Sequence, residues 1–229
     1  MLTIPVLCDD VWHPADVLER GLALLDQDKY QFDFIKTCKD ICTPEFAANF
    51  PLIITCKSNN VNAANSEPWF EDTVTEFGPR EMKAYMENGG NMIFIHSASA
   101  FSGKFIKKGE LFETPNDLYI KLVGNDFSGH PLRCPVTVHV TNPDHPIMKG
   151  VHDFTERDEH YQCRLTVDAD VFMETSSDHG DTVVSGYTRK IGKGTQVVLT
   201  PGHTLAVWSN ENWKKIILNS IEYCLGGTE

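Results

Sequence analysis

Asn88-Gly89-Gly90-Asn91-Met92-Ile93-Phe94-Ile95-His96-Ser97-Ala98-Ser99-Ala100 is the stretch on which the fold turns. Met92–Ile95 is a continuous apolar run, the mark of a strand in the middle of a parallel sheet covered on both faces. Asn88-Gly89-Gly90 closes a helix before it, with glycine where a helix C-terminus favours it, and Phe77-Gly78-Pro79 opens that helix with proline at its start. Further upstream, Thr3–Cys8, Phe32–Ile35 and Leu52–Cys56 are short apolar strands. Val17, Leu18, Leu22 and Leu25 recur at three- and four-residue spacing on one helical face. Strand alternating with helix is the pattern of a doubly wound α/β sheet.

Downstream of about Pro135 the texture changes. Pro135–Val140, Tyr161–Val167, Val171–Glu174 and Thr182–Tyr187 read as short strands joined by turns, an antiparallel β excursion attached to the sheet. The chain returns through the strand Thr195–Leu199 and the loop Thr200–Asn210. A closing helix, Glu211–Leu225, buries a face of Trp213, Ile216, Ile217, Ile221 and Cys224. The expectation is one domain over residues 1–229 with a β-rich insertion at about residues 132–190.

The 229 residues carry 20 Lys+Arg against 32 Asp+Glu, a net charge of −12 with neutral histidines. That balance argues against nucleic acid, which is held through clustered Lys and Arg. No apolar run reaches the roughly 20 residues that span a bilayer. The N-terminus lacks a basic n-region and meets Asp9-Asp10 too early for a signal peptide. Seven scattered cysteines suit reduced thiols in a cytoplasm, and Cys38-x3-Cys42 has no second pair to complete a metal knuckle. Neither a Gly-x-Gly-x-x-Gly nor a P-loop is present, so no nucleotide cofactor is expected.

In open parallel sheets ligands bind beyond the carboxyl ends of the strands, and several polar groups fall there. His96 follows its strand directly, at the position of the strand-to-helix elbow where α/β hydrolases and amidotransferases hold a nucleophile. An imidazole there suits a ligand or proton carrier better than an acyl-forming nucleophile. Ser97 is a rival nucleophile without the usual glycine frame. His203, in Thr200-Pro201-Gly202-His203-Thr204, follows another apolar strand. Residues 153–162 are the most charged part of the chain and read as a solvated turn, yet Tyr161 would anchor Glu159 against the core. His96, Glu159 and His203 are the candidate catalytic set. His96, His130, Glu159 and His203 are the candidate ligands of Zn²⁺ or another divalent metal, since a carboxylate beside imidazoles recurs in metal and acid/base sites. Trp12, His13, Asp158 and Tyr161 are candidate substrate contacts, and Trp12, Trp69 and Trp208 are candidates to stack on sugar faces.

Taken in order, several segments resemble the trehalose-utilisation (ThuA-like) family, whose fold is related to class I glutamine amidotransferases. They are Tyr85-Met86-Glu87-Asn88-Gly89-Gly90 leading into Ile95-His96-Ser97-Ala98, Leu122-Val123-Gly124 with Phe127-x-x-His130-Pro131, and His145-Pro146-Ile147-Met148-Lys149-Gly150. Phe154 through Asp158-Glu159-x-Tyr161, Gly192-Lys193-Gly194 through Gly202-His203, and the helix ending Glu222-Tyr223-Cys224-Leu225-Gly226 complete the series. The resemblance implies a flavodoxin-like sheet, a site of His96, His130, Glu159 and His203, and a role in the catabolism of trehalose, other glucosides or 3-keto-sugars. It predicts a hydrolase, lyase or isomerase of a sugar or keto-sugar, cytoplasmic, with homo-oligomerisation left open. Amidotransferases need cysteine at the elbow, and His96 stands there, so glutaminase activity is not expected. The alternatives are a non-catalytic carbohydrate-binding or sensor protein on the same scaffold and a structural subunit of a larger assembly.

Overall fold

The computed structural model describes residues 1–10, 12–25, 28–36, 43–57, 78–100, 104–107, 110–113 and 117–226. Cys38, Cys42 and Trp69 lie outside them. The elements run β1 (Leu2–Leu7), α1 (Asp16–Leu22), β2 (Tyr30–Ile35), α2 (Pro44–Ala47), β3 (Leu52–Thr55), α3 (Pro79–Glu87) and β4 (Asn91–Ile95). Then come β5 (Lys104–Lys107), β6 (Glu110–Glu113), α4 (Asp117–Val123), β7 (Asn125–Gly129), β8 (Cys134–Val140), β9 (Phe154–Asp158) and β10 (Gln162–Leu165). The chain ends with β11 (Asp170–Ser177), β12 (Gly180–Ile191), β13 (Gly194–Leu199), α5 (Leu205–Ser209) and α6 (Glu211–Cys224).

One nine-stranded sheet has the order β2-β1-β3-β4-β13-β12-β11-β8-β9. The first five strands pair in parallel and the last four pairings are antiparallel. This is the doubly wound α/β sheet with an antiparallel excursion that the alternation predicts. The excursion continues the main sheet from β13 outward. Strand β4 lies between β3 and β13, and its side chains alternate between two cores. Ile93 and Ile95 join Leu22, Trp208, Trp213 and Ile217 on the face covered by α1, α5 and α6, while Met92 and Phe94 join Met82, Met86 and Leu122 on the face covered by α3 and α4.

Each antiparallel pairing reverses direction, so after four reversals β9 again points the same way as β13. Its carboxyl end therefore emerges on the side where β4 and β13 end. On a flat sheet β9 would lie about 19 Å from β13 at the usual interstrand spacing. The Asp158 carboxylate nevertheless lies 2.8 Å from the Gly202 amide, so the outer half of the sheet curls back over the end of the parallel half. Irregular pairing along β11 supplies bends for that curl.

The charged run 153–162, expected as a solvated turn, forms edge strand β9 at its start. Phe154 and Asp158 are buried, while Thr155 and Arg157 between them face solvent. Elsewhere α5 forms inside the expected loop 200–210, and β7 forms where no strand was expected, paired with β10. No helix of the described residues is long and apolar enough to cross a membrane, and the five described cysteines are free thiols.

Glycine is required where α3 ends over β13. A Cβ on Gly194 would run into the carbonyl oxygens of Gly90 and Met86, which belong to backbone and have little room to yield. Gly194→Ala is expected to cost about 2–3 kcal/mol by overpacking, read as a lower urea midpoint with an unchanged m-value.

Candidate functional site

The site forms where β1, β4 and β13 end and β9 curls back. His96 is the first residue after β4 and opens a short 3₁₀ turn, His96–Ser99, with φ at +48°. That left-handed backbone is costly for a residue other than glycine, about 1–3 kcal/mol. Ser99 Oγ caps the turn by donating to the His96 carbonyl at 2.6 Å. The ring is buried, stacked on Tyr161 with centroids 4.3 Å apart, and its Nδ1 lies 2.9 Å from the Thr200 carbonyl. A carbonyl only accepts, so Nδ1 carries the proton and Nε2 presents its lone pair to the cleft. Burial is the main influence on His96 and pulls its pKa down to about 4, keeping the ring neutral. Ser97, the rival nucleophile, is also buried and donates its hydroxyl to the Cys56 carbonyl, which turns it away from the cleft.

His203 is held from across the sheet. Asp158 is 2% exposed. Its Oδ2 accepts from Gly202 N at 2.8 Å, and its Oδ1 from His203 N at 3.0 Å and Thr204 N at 3.2 Å. Burial lifts the Asp158 carboxyl to about 6 against the pull of these amides. Asp158 lines neither cavity at the site: both oxygens are spent on the loop that carries His203. The expected substrate contact is thus an anchor, because its side chain points inward from β9.

His13 is held by a second buried carboxylate, which sequence reasoning missed. Asp10 Oδ1 accepts from Trp12 N at 2.8 Å, His13 N at 2.7 Å and His13 Nδ1 at 3.1 Å. This leaves His13 Nε2 facing the cleft. Burial pulls the His13 pKa down, but the bond to Asp10 and the charges of Asp10 and Glu159 outweigh it and raise it to about 9. The signal available in the sequence was the acid doublet directly after an apolar strand.

These anchors converge on Glu159. Its Oε2 lies 3.1 Å from His203 Nδ1, 3.4 Å from His96 Nε2, 3.6 Å from His130 Nε2 and 3.9 Å from His13 Nε2. Burial would raise the Glu159 pKa, but His13, His203 and His96 outweigh it and hold the carboxyl far below the usual carboxylate range. Oε2 is nonetheless buried with no hydrogen-bond partner among the described residues. His13, His96, Glu159 and His203 each offer one donor atom, all within 4.8 Å of one another. His130 stands outside this group of four. Its exposed ring donates from Nδ1 to the Pro131 carbonyl at 2.9 Å and stacks on Tyr161 with centroids 5.5 Å apart.

An open pocket of about 250 Å³ covers the cluster, with Trp12, Phe127, His130 and Tyr161 among its walls. Trp12 is 47% exposed at its rim. Trp208, the other described candidate for stacking on a sugar, is buried in the core with Nε1 donating to the Gly202 carbonyl at 2.9 Å.

Solved structures share this fold. A ThuA-like protein from Bacteroides uniformis superposes with a TM-score of 0.70 at 17% identity, covering 100% of this chain and 93% of that one. A ThuA-like protein from Parabacteroides merdae gives 0.65 at 14%, covering 99% and 91%. A glutamine amidotransferase from Thermotoga maritima gives 0.58 at 10%, covering 98% of each chain. No curated protein matches the sequence. The family model described as trehalose utilisation matches residues 17–224, which suggests a role in sugar metabolism, and by that match the chain belongs to the ThuA family.

Proposed function

We propose that the chain is a sugar-catabolism enzyme acting on a glucoside or 3-keto-sugar by acid/base chemistry, with a divalent cation such as Zn²⁺ held by His13, His96, Glu159 and His203. The observation that carries this reading is Glu159 Oε2, a buried carboxylate oxygen among four imidazole nitrogens that receives no hydrogen bond from the described residues. Three imidazoles and one carboxylate form a donor set suited to zinc. His13 and His96 each have the other ring nitrogen tied down, to Asp10 and to the Thr200 carbonyl, as metal-binding histidines usually do. When bound, such a cation supplies Lewis-acid polarisation of a carbonyl or glycosidic oxygen.

The chain's own residues supply the remainder. Trp12, Phe127 and Tyr161 give the open pocket aromatic walls for the carbon faces of a sugar. His130 is placed at the mouth to carry a proton, since its Nδ1 bond to Pro131 leaves Nε2 directed toward Glu159. With His96 at the elbow there is no thiolate to form an acyl-enzyme, so glutaminase activity is not expected.

The test combines metal analysis of the purified protein with turnover of 3-keto-glucosides. Wild type is expected to bind a divalent ion, and His96→Ala to lose about 10³-fold in kcat/KM. Full turnover by His96→Ala would sink the assignment, and activity in metal-free protein would leave acid/base catalysis alone. Sugar binding by wild type without any product would select the non-catalytic carbohydrate-binding reading instead.

A further inference from the structure

The histidine cluster forms a partition between two cavities. Trp12, His13 and His203 line both the open pocket and a second, inner cavity of about 130 Å³, to which His96 also contributes and whose rim includes the exposed Pro14 and Asp16. Behind the cluster the inner walls turn apolar, with Val17 and Leu18 from α1, Ile95 from β4, and Trp208 from α5. Cys8 and Cys56 complete that surface. They follow β1 and β3 directly, where Leu7 pairs with Thr55, so the register sets them side by side. Burial pushes the Cys8 thiol up to about 12 and the Cys56 thiol well above its ordinary value, so both stay uncharged.

Charge narrows what this space accepts. The carboxylates on its lining are Asp9, which accepts from Ala15 N at 3.2 Å, and the exposed Asp16. Among the described walls there is no Lys or Arg, and the cationic His13 is already flanked by Asp10 and Glu159, so a phosphate or carboxylate group would compete with these carboxylates and meet repulsion from Asp9 and Asp16. Size narrows it further. An apolar cavity of roughly 150 Å³ takes one benzene ring. A hexose has twice the non-hydrogen atoms of benzene and exceeds that volume.

We infer that the inner cavity is a second ligand compartment, taking an uncharged and largely apolar group of about six or seven non-hydrogen atoms on the far side of the histidine cluster from the open pocket. This rests on the reading of the cluster as the reacting centre, and it narrows the substrate class of that centre. The sugar ring occupies the open pocket and a small alcohol or phenol portion occupies the inner one. A glucoside of a small alcohol or phenol fits this division, and a disaccharide with one ring in each cavity does not.

Phenol is the probe, followed by ligand-observed NMR, with 2-naphthol as the oversized control. Wild type is expected to bind phenol with Kd on the order of 1 mM and to discriminate against 2-naphthol by about tenfold or more. Val17→Phe and Cys56→Met, each of which enlarges a wall residue, are each expected to weaken phenol about tenfold while zinc affinity stays within about twofold of wild type. Absence of phenol binding, equal binding by both filled variants, or equal affinity for 2-naphthol would overturn the compartment. Loss of phenol binding with zinc binding intact counts against the compartment alone. Phenol binding without zinc binding counts against the metal reading alone.

Discussion

Glu159→Gln is expected to abolish tight zinc binding, with a loss of at least about 100-fold in affinity by competition with a chromogenic chelator. The carboxylate is the one anionic donor of the four, and its Oε2 lies within 3.9 Å of every imidazole of the set. Glutamine keeps the shape but presents a neutral oxygen, or turns an NH₂ group toward three ring nitrogens. Asp10→Asn provides the contrast. Asp10 reaches the centre through His13, whose Nδ1 it holds at 3.1 Å, and removing an outer partner of this kind costs about 10–100-fold. The ranking is therefore Glu159→Gln worse than Asp10→Asn. Equal zinc affinity in wild type and Glu159→Gln would show that the four side chains do not form a metal centre.

Asp158→Ala is expected to cost about 4 kcal/mol of folding stability and to weaken zinc binding at the same time. The substitution strips acceptors from the amides of Gly202, His203 and Thr204 in one step. It also removes a clamp between the sheet edge and the loop after β13, where Thr204 Oγ1 donates to the Arg157 carbonyl at 2.6 Å and Asn210 Nδ2 to Glu156 Oε1 at 2.9 Å. Asp158→Asn retains acceptor capacity on one side only and should fall between wild type and alanine. Chemical denaturation gives the stability, and zinc titration of the folded variant gives the second effect. Unchanged stability in Asp158→Ala would mean that β9 docks without this carboxylate.

Most of the parallel half was legible because β3, β4 and β13 are buried on both faces and read as largely apolar runs, β4 most clearly, whereas edge strand β2 exposes Gln31 and Asp33. Edge strand β9 was not legible. A strand with one exposed face can carry Thr155, Glu156 and Arg157, and its buried members are Phe154 and a carboxylate, so charge concealed its period-two alternation. Helix α5 is five residues long, and Trp208 goes to the core because its ring packs on α1, where a Cβ at Gly21 would collide with it.

The candidate site divides along a similar line. His96 and His203 stood out as polar residues just after apolar strands, a position that chain order reveals, and Glu159 as a carboxylate that the neighbouring Tyr161 would anchor against the core. The fourth donor did not. Sequence reading chose His130 and kept His13 as a substrate contact, whereas the structure groups His13 with the other three. The difference lies in Asp10, whose buried oxygen aims the His13 ring inward, while the His130 ring is tied to its neighbour Pro131 at the pocket mouth.

Local sequence alone therefore determined the strand–helix alternation, the helix-ending glycines and the set of residues able to ligate or move protons, because each depends on neighbours within a few positions. Tertiary structure alone decided which of those residues meet. Asp158 and Gly202 are 44 positions apart in the chain, and four successive antiparallel reversals with a curl of the sheet bring them into contact. That packing moves Glu159 from a charged surface run to the centre of three imidazoles, and no local pattern encodes it.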